Sequence, residues 1–217
     1  MAKRQPGAFD ALRPDGPELS DFSADLWDPV NGAVPKKLLT SAVRCFASKG
    51  FQATTTRDIS GGAGLSPAAM YVHFPSKEDM LFEISRTGHR HVLRTLRDAD
   101  PAEPVEHLRG LVFRHVVWHA RHHVAARVNQ YEIANLTPGH YEIIRGLRQE
   151  DTGTFRAAVE RGIEEGHFSP TDVDRVVRAI MALSIDLVRW YRLDGADTPE
   201  ELGAFYGDLA IAMLTRG

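Results

Sequence analysis

The stretch TTRDISGGAGLSPAAMYVHFPSKEDML, residues 55–81, decides the fold of this chain. It contains three signatures of a helix start, each with a side-chain oxygen that can cap free backbone N–H groups. The signatures are Thr55 with Asp58, Ser66 before Pro67, and Ser76 with Asp79. The sequence therefore predicts three short helices in close succession, over about residues 56–62, 67–73 and 77–88.

A glycine-containing turn separates the first two of these helices. Gly62-Ala63-Gly64-Leu65 lies between them, and glycine permits a positive φ in a tight turn. Ile59, Leu65 and Met70 supply apolar contacts between the helices, and the small Ser60 suits the point where they cross. The pattern predicts a helix-turn-helix, whose second helix enters the major groove of DNA.

The charge distribution points to the same segment. The chain has 217 residues and a formal net charge of -3, which by itself gives no reason to expect a nucleic-acid partner. Residues 36–90, however, carry eight basic and four acidic residues, a local net charge of +4, between two acidic segments. This asymmetry predicts a local surface that binds a polyanion.

The composition excludes several other classes of protein. One cysteine cannot form an internal disulfide or a paired zinc or redox motif. No apolar run approaches the roughly 20 residues that span a bilayer, and the N-terminus lacks the apolar core of a secretory signal. We therefore expect a cytoplasmic protein with no membrane partner. No cofactor is implied, because the string SGGAGLS at residues 60–66 lacks the Lys-Ser/Thr pair of a phosphate-binding loop.

Helical periodicity covers almost all of the chain from Pro35 onward, so we predict an all-α protein. Pro35 suits the first position of the first helix, and Gly50 suits its stop. Beyond the helix-turn-helix, the apolar spacing and the Pro-led starts predict five longer helices. They cover about residues 104–122, 124–136, 138–165, 171–191 and 198–216.

The N-terminal residues have a different composition. Residues 1–34 contain four prolines and predict a flexible arm, in which Phe22, Leu26 and Trp27 could still dock. The predicted boundaries are 1–34 for this arm, 35–82 for a DNA-binding domain, and 83–217 for an effector-binding and dimerisation domain.

At these residues the sequence resembles the tetracycline-repressor (TetR/AcrR) family of transcriptional regulators, whose DNA-binding pattern runs approximately TTxxxIAxxAGvSxxxlYxyFxSKexxL. The matching positions are Thr54, Thr55, Ile59, Ala63, Gly64, Leu65, Ser66, Met70, Tyr71, Phe74, Ser76, Lys77, Glu78 and Leu81. The resemblance spans about 47 residues, from Lys36 to Phe82. It implies an N-terminal three-helix DNA-binding domain and a C-terminal helical domain that binds an effector and dimerises.

The residues predicted to face DNA are Thr55, Thr56, Arg57, Ser66, Pro67, Ala68, Ala69, Tyr71, His73 and Lys77. A helix start at Arg57 offers N–H groups and a positive dipole end to phosphate, and Arg57 can also reach a guanine edge. The resemblance implies that Tyr71, His73 and Lys77 hold the DNA backbone. It also implies that residues 66–69 face the bases, where small apolar groups favour thymine-methyl and shape readout.

Gly61 and Gly62 depart from the family pattern, in which helix-favouring residues are usual. Each interior glycine costs roughly 1 kcal/mol relative to alanine. We therefore expect Gly61→Ala and Gly62→Ala together to raise thermal stability. A looser helix that orders on DNA is a second interpretation of the same pair.

The C-terminal part offers candidate effector contacts. The residues that could line a cavity are Phe113, Trp118, His122, Tyr131 and Asn135. Seven of the ten histidines fall between His89 and His123, and His115 with His119 has the i, i+4 spacing that can clamp a metal. A metal-responsive regulator that uses His115, His119 and His122 is therefore one alternative, and an enzyme on an all-α fold is another.

The last two predicted helices carry broad apolar faces, which predict a homodimer interface. Its predicted residues are Leu183, Leu187, Trp190, Phe205 and Leu209. The resemblance implies a four-helix bundle between subunits and recognition helices about 34–36 Å apart. We therefore predict a repressor that a small effector, hydrophobic or of acyl-CoA type, releases from a palindromic operator in double-stranded DNA. The helix over 77–88 is the predicted lever between the two domains.

Overall fold

The computed structural model describes residues 22–215, the side chains of residues 22–24 excepted. Over that range the chain forms nine α-helices, three 3-10 segments and no strand, which confirms the all-α prediction. The α-helices are α1 (Ala33–Lys49), α2 (Thr56–Gly62), α3 (Pro67–His73), α4 (Lys77–Leu96), α5 (Pro104–Arg121), α6 (His123–Tyr131), α7 (Pro138–Glu164), α8 (Val173–Asp186) and α9 (Pro199–Thr215). None of these helices is long and apolar enough to cross a membrane.

Helices α2 and α3 have the predicted bounds, whereas α4 is longer than predicted. Gly88 marks the predicted end of α4, but the helix continues to Leu96. A Cβ at Gly88 would lie 2.7 Å from Asn129 Nδ2 and 3.6 Å from the Trp118 ring. This glycine therefore permits a close approach of α4 to α5 and α6 instead of ending the helix.

Three bounds in the C-terminal half also differ from the predicted ones, and one of them is the end of α8 at Asp186 instead of about residue 191. Helix α6 ends at Tyr131 and is followed by a 3-10 turn, Ile133–Asn135. Helix α8 begins only at Val173, because Asp172 accepts a hydrogen bond from the Arg175 amide at 3.1 Å and so acts as the cap. The predicted N-terminal caps of α7 and α9 are present at Thr137 and Thr198.

The C-terminal end of the predicted arm belongs to the core. Residues Phe22–Trp27 form a 3-10 helix, in which Leu26 is 0% and Trp27 1% exposed. Trp27 Nε1 donates to Thr40 Oγ1 of α1 at 2.9 Å, and the same segment contacts α4 and α6. The interpretation of residues 1–34 as a flexible arm is wrong for this part, because burial of two large apolar side chains fixes it. Residues 1–21 lie outside the described range.

Helices α5 and α9 pack together at close range. A Cβ at Gly203 of α9 would lie 2.9 Å from both Phe113 and Val117 of α5, and one at Gly207 would lie 3.2 Å from Arg109 Cγ. The two glycines thus let the helices approach closely, as small residues do at helix contacts. Because α9 covers one side of α5, the opposite side of α5 faces α4, α7 and α8.

Candidate nucleic-acid interface and interior cavity

The start of α2 is fixed by its cap. Thr55 Oγ1 accepts a hydrogen bond from the Asp58 amide at 3.1 Å, and Asp58 Oδ2 accepts one from the Thr55 amide at 2.8 Å. Lys49 donates to Asp58 at 2.8 Å and, together with Thr55, holds the pKa of that carboxyl well below its usual range. Arg57 is exposed and forms no ion pair with any described residue. Its guanidinium is therefore available to a phosphate or a guanine edge.

The turn between α2 and α3 has the conformation that the sequence predicts. Gly64 has a φ of 69°, in the left-handed region that favours glycine. Ile59 and Met70 are completely buried, and Ser60 is 1% exposed. The two helices thus cross over a small apolar contact, and the helix-turn-helix is confirmed.

Gly62 differs from its neighbour Gly61 in its surroundings. A Cβ at Gly62 would lie 2.5 Å from Ser41 Oγ, which donates a buried 2.7 Å hydrogen bond to the Ile59 carbonyl. A Cβ at Gly61 would meet no described atom within 4 Å. The expectation that both alanines stabilise is therefore wrong at Gly62 for steric reasons, and it stays a prediction at Gly61.

Helix α3 presents a small apolar start to solvent. Ser66 Oγ accepts from the Ala69 amide at 3.2 Å, and Pro67 occupies the first turn. Ser66, Pro67 and Ala68 are exposed, while Ala69 is half-buried. All four predicted base-facing residues therefore lie at the accessible end of one helix.

The second turn of α3 carries larger exposed side chains. Tyr71 is 53% exposed, and its hydroxyl donates to Thr56 Oγ1 at 3.4 Å across the motif. His73 is exposed at the end of the helix. Val72, which is not among the residues predicted to face DNA, is 79% exposed. Its position four residues after Ala68 places it on the same helix face, and this spacing could have identified it.

Lys77 points into the domain. Its ammonium donates to the main-chain carbonyls of Phe51 at 2.7 Å, Thr54 at 2.9 Å and Gln52 at 3.3 Å. It also lies 4.4 Å from the centroid of the Phe51 ring. An ammonium has three N–H donors, so all of them are engaged. The geometry assigns Lys77 to a structural contact in place of the predicted phosphate contact.

A group of four residues connects the DNA-binding helices to α7, and we call it the interdomain joint: Glu78, Phe82, Thr137 and His140. Glu78 Oε1 accepts from the Thr137 amide at 2.7 Å, and His140 Nδ1 lies 3.0 Å from both carboxylate oxygens. Phe82 stacks on the His140 ring with centroids 3.8 Å apart. The joint therefore ties the first turn of α4 to the first turn of α7.

A cavity of about 220 Å³ lies inside the C-terminal domain, between α4, α5, α6, α7 and α8. Its polar wall includes His89, His119, Asn129, Arg148 and Asp151. Its apolar wall includes Val92, Trp118, Ala126, Met181 and Ile185. Mostly apolar walls with a few convergent polar groups are typical of small-molecule sites.

Two of the predicted effector contacts lie at or beside this cavity. Trp118 lines it, and its Nε1 donates to His91 Nδ1 at 2.7 Å. His122 lies one layer behind, where its ring centroid is 5.1 Å from that of Trp118 and its Nδ1 donates to the Trp118 carbonyl. Trp118 is thus a wall residue, and His122 supports it.

The other three predicted contacts lie elsewhere. Phe113 packs on α9 beside Gly203, and Tyr131 is 52% exposed on the surface. Asn135 Oδ1 accepts from Gln52 Nε2 of the DNA-binding domain at 2.6 Å. These three residues therefore do not line the cavity: Phe113 faces α9, and the end of α6 at Tyr131 turns Asn135 toward the DNA-binding domain.

The guanidinium of Arg148 enters the polar wall without a carboxylate partner. Its Nη2 donates to the Asn129 carbonyl at 2.9 Å and to Gln130 Oε1 at 3.3 Å, and its Nε donates to His89 Nε2 at 3.3 Å. His89 accepts there because its Nδ1 donates to the Ser85 carbonyl at 2.7 Å. Desolvation lowers the pKa of Arg148 from its ordinary value. Arg148 forms no ion pair with any described residue.

Asp151 is the second charged group of the wall. Its Oδ2 lies 3.3 Å from His115 Nε2, whereas its Oδ1 is buried and has no hydrogen-bond partner. His115 is completely buried, and its Nδ1 has no partner either. Buried polar atoms in native proteins nearly always have a partner, so the lone oxygen indicates a place for one.

The remaining histidines of the wall are neutral. His119 Nδ1 donates to the His115 carbonyl at 2.8 Å, and burial holds the pKa of His119 well below its ordinary value. Desolvation likewise lowers the pKa of His89 to about 4. Neutral rings can accept hydrogen bonds without adding charge to the cavity.

The metal alternative receives no geometric support. Among the described residues, one group of three brings its ligand atoms within 4.8 Å of one another, and it consists of Glu78, Asp79 and His140. Glu78 already serves the interdomain joint, and Asp79 accepts from the Ser76 hydroxyl at 2.7 Å. His115, His119 and His122 form no such group.

The predicted interface residues differ in exposure. Phe205 is 61% and Leu183 39% exposed, so these side chains are available to a second subunit. Trp190 and Leu209 are half-buried. Leu187 is 0% exposed, which contradicts its predicted place at an interface, because its 3-10 turn packs against α6.

Comparisons with known proteins address both halves of the chain. The family described as bacterial regulatory proteins of the tetR family matches residues 38–84. The family described as the tetracyclin repressor-like C-terminal domain matches residues 101–214. The HTH-type transcriptional repressor KstR2 of Mycobacterium tuberculosis is 33% identical over 196 residues, which span 87% of this chain and 98% of that protein.

Solved structures agree with these sequence matches. A bacterial regulatory protein of the tetR family from Rhodococcus RHA1 has a TM-score of 0.80 at 35% identity and covers 85% of this chain and 98% of its own. The ketosteroid transcriptional regulator KstR2 of Mycobacterium tuberculosis also has a TM-score of 0.80, at 33% identity, with 87% and 97% covered. AibR, solved with isovaleryl coenzyme A and operator DNA, has a TM-score of 0.71 at 23% identity, with 83% and 97% covered, and shares the fold.

Proposed function

We propose that this chain, which belongs to the TetR family of bacterial regulatory proteins, is a homodimeric repressor that a small effector releases from its operator. The family and its helix-turn-helix make it a DNA-binding transcriptional regulator. Its KstR2 relatives are transcriptional repressors, and this supports repression.

One observation carries the ligand response: a single helix reaches from the DNA-binding face to the cavity. The first turn of α4 holds Glu78 in the interdomain joint, and its fourth and fifth turns place His89 and Val92 in the cavity wall. A molecule that enters the cavity would contact the same helix that follows α3 in the chain. Occupancy can therefore favour one orientation of the recognition helices over another.

DNA reading is assigned to the exposed ends of α2 and α3. Arg57 supplies a free cation for phosphate or guanine, and Tyr71 and His73 lie exposed in the second turn of the recognition helix. The apolar face from residue 66 to Val72 reads thymine methyl groups and groove shape. A two-fold dimer through the α8 and α9 surface would present two such faces to a palindrome.

The effector class is set by the size and lining of the cavity. About 220 Å³ exceeds the 150 Å³ that suffices for benzene and accommodates one or two fused rings or a short acyl chain. We infer a small hydrophobic effector, or the acyl portion of a larger thioester. Effector and operator binding then weaken each other by the same factor.

A mobility-shift assay on palindromes beside the chain's own gene tests this proposal. We expect a specific complex whose affinity falls steeply as salt rises, since phosphate contacts release counterions. Arg57→Met should weaken the complex, whereas Arg145→Met, which removes an exposed arginine of α7, should not. The absence of any specific complex at every salt concentration would overturn the proposal.

A further inference from the structure

The cavity wall contains a carboxylate with one oxygen that lacks a hydrogen-bond partner among the described residues. Asp151 has 8% of its side chain exposed, and its one hydrogen-bond partner among the described residues is His115, on the Oδ2 side. Its Oδ1 is buried without a partner. A carboxylate oxygen accepts hydrogen bonds and donates none, so the missing partner is an O–H or N–H group.

The same wall contains a cation without a counter-ion. Three acceptors, on Asn129, Gln130 and His89, fix the plane of the Arg148 guanidinium from one side. Its Nη1 makes no hydrogen bond to a described residue. A fixed guanidinium with free N–H groups is suited to a carboxylate, which it can hold through parallel hydrogen bonds.

The two charged groups lie on one face of α7. Arg148 and Asp151 are three residues apart, a spacing that brings side chains within about 5–6 Å of each other on a helix surface. The wall around them is apolar, with Trp118, Met181 and Ile185 among its residues. A ligand that satisfies both groups therefore carries two polar substituents on an apolar body.

We infer that the cavity binds a small hydroxylated carboxylic acid with an apolar body, whose hydroxyl donates to Asp151 Oδ1 and whose carboxylate pairs with Arg148. This inference rests on the proposed function, since it specifies the chemistry of the effector. The bulk of the ligand packs on Trp118, in about 220 Å³ of space.

A set of four compounds on one ring system tests the inference. Naphthalene, naphthol, naphthoate and hydroxynaphthoate carry neither group, the hydroxyl alone, the carboxylate alone, and both. Calorimetric titration of the wild-type protein should give hydroxynaphthoate the highest affinity and naphthalene the lowest. Each group should contribute about tenfold, the usual worth of a hydrogen bond to a charged partner.

Two variants assign the preferences to residues. Asp151→Asn keeps the shape but removes the charge, and it should reduce the hydroxyl preference to about twofold while leaving the carboxylate preference intact. Arg148→Met should abolish the carboxylate preference alone. Glu150→Gln and Arg145→Met, at exposed positions of the same helix, serve as matched controls that change neither.

The outcomes separate this inference from the proposed function. Equal affinity for all four compounds, or binding of none, overturns the inference even if the same preparation binds its operator. Preferences that persist unchanged in both variants also overturn it, because the contacts would then lie elsewhere. Failure to bind any operator overturns the proposed function instead. Since the four-compound series uses the wild-type protein, a variant that does not fold leaves the test decisive.

Discussion

His140 Nδ1 lies 3.0 Å from both carboxylate oxygens of Glu78, and this contact joins the first turn of α7 to the first turn of α4. The two residues are 62 positions apart in sequence. The same carboxylate accepts from the Thr137 amide at 2.7 Å, so one side chain of α4 holds two residues at the start of α7. The contact therefore links the helix that lines the cavity to the helix that follows the recognition helix.

Glu78→Ala should loosen the start of α7. The Thr137 amide and the His140 ring would lose their acceptor, which should lower the free energy of unfolding by about 1–2 kcal/mol. Hydrogen exchange at residues 137–140 should quicken, while exchange in α9 should not. Glu142→Ala, which removes an exposed carboxylate of the same helix, provides the control. Unchanged exchange at residue 137 would contradict the assigned role.

Gly61→Ala and Gly62→Ala should have opposite effects on thermal stability. The first adds a methyl group in open space and should raise stability by up to about 1 kcal/mol, since alanine is the better helix former. The second drives a Cβ into Ser41 Oγ and should lower the melting temperature. Ser41→Ala combined with Gly62→Ala removes the conflict and should recover part of that loss. A stabilising effect of Gly62→Ala alone would refute the steric account.

Lys77→Met and Arg57→Met should separate structural from DNA-binding roles. Loss of three hydrogen bonds from the Lys77 ammonium should destabilise the domain by about 2 kcal/mol. The Arg57 side chain forms no hydrogen bond or ion pair with a described residue, so its replacement should leave the melting temperature unchanged and weaken operator binding. Thermal melts and mobility shifts of both variants check this. If the Lys77→Met variant kept the melting temperature of the wild type, the structural role would be wrong and Lys77 would be assigned to the predicted phosphate contact.

Acid should destabilise the protein through histidines in the cavity wall. The pKa of His89 is lowered to about 4 and that of His119 lies well below its ordinary value. The unfolded chain takes up protons below about pH 6.5, whereas the folded chain does not, so stability falls as pH drops from there toward 4. Urea unfolding at a series of pH values measures the slope of the free energy of unfolding against pH. His89→Gln should reduce it, and His73→Gln, at an exposed position, should not.

The helix-turn-helix was predictable because its signals are local. Caps at Thr55, Ser66 and Ser76 act on backbone groups two or three residues away, and the Gly64 turn depends on one dihedral angle. Each element could therefore be read from neighbouring residues. The bounds of α2 and α3 follow directly.

The cavity could not be predicted because it depends on contacts between distant helices. Asp151 lies 36 residues from His115, and Arg148 lies 59 residues from His89. The aromatic residues Phe113 and Tyr131 are of a type common in pockets, but Phe113 packs on α9 and Tyr131 is exposed. Gly88 is a second example. A glycine near the end of an apolar pattern is typical of a helix end, whereas in the structure Gly88 lies within α4 and allows it to approach Asn129.

Shortening the chain to its recognisable domains would remove part of its interior. The family match begins at residue 38 and helical periodicity at residue 35, yet Leu26 and Trp27 fill space between α1, α4 and α6. A truncated protein that starts at residue 35 would expose the apolar surfaces of α1, α4 and α6 that these two residues cover. Loss of one buried tryptophan alone costs about 3–5 kcal/mol. We therefore expect the smallest unit that folds to begin before Trp27, upstream of residue 38, where the family match begins.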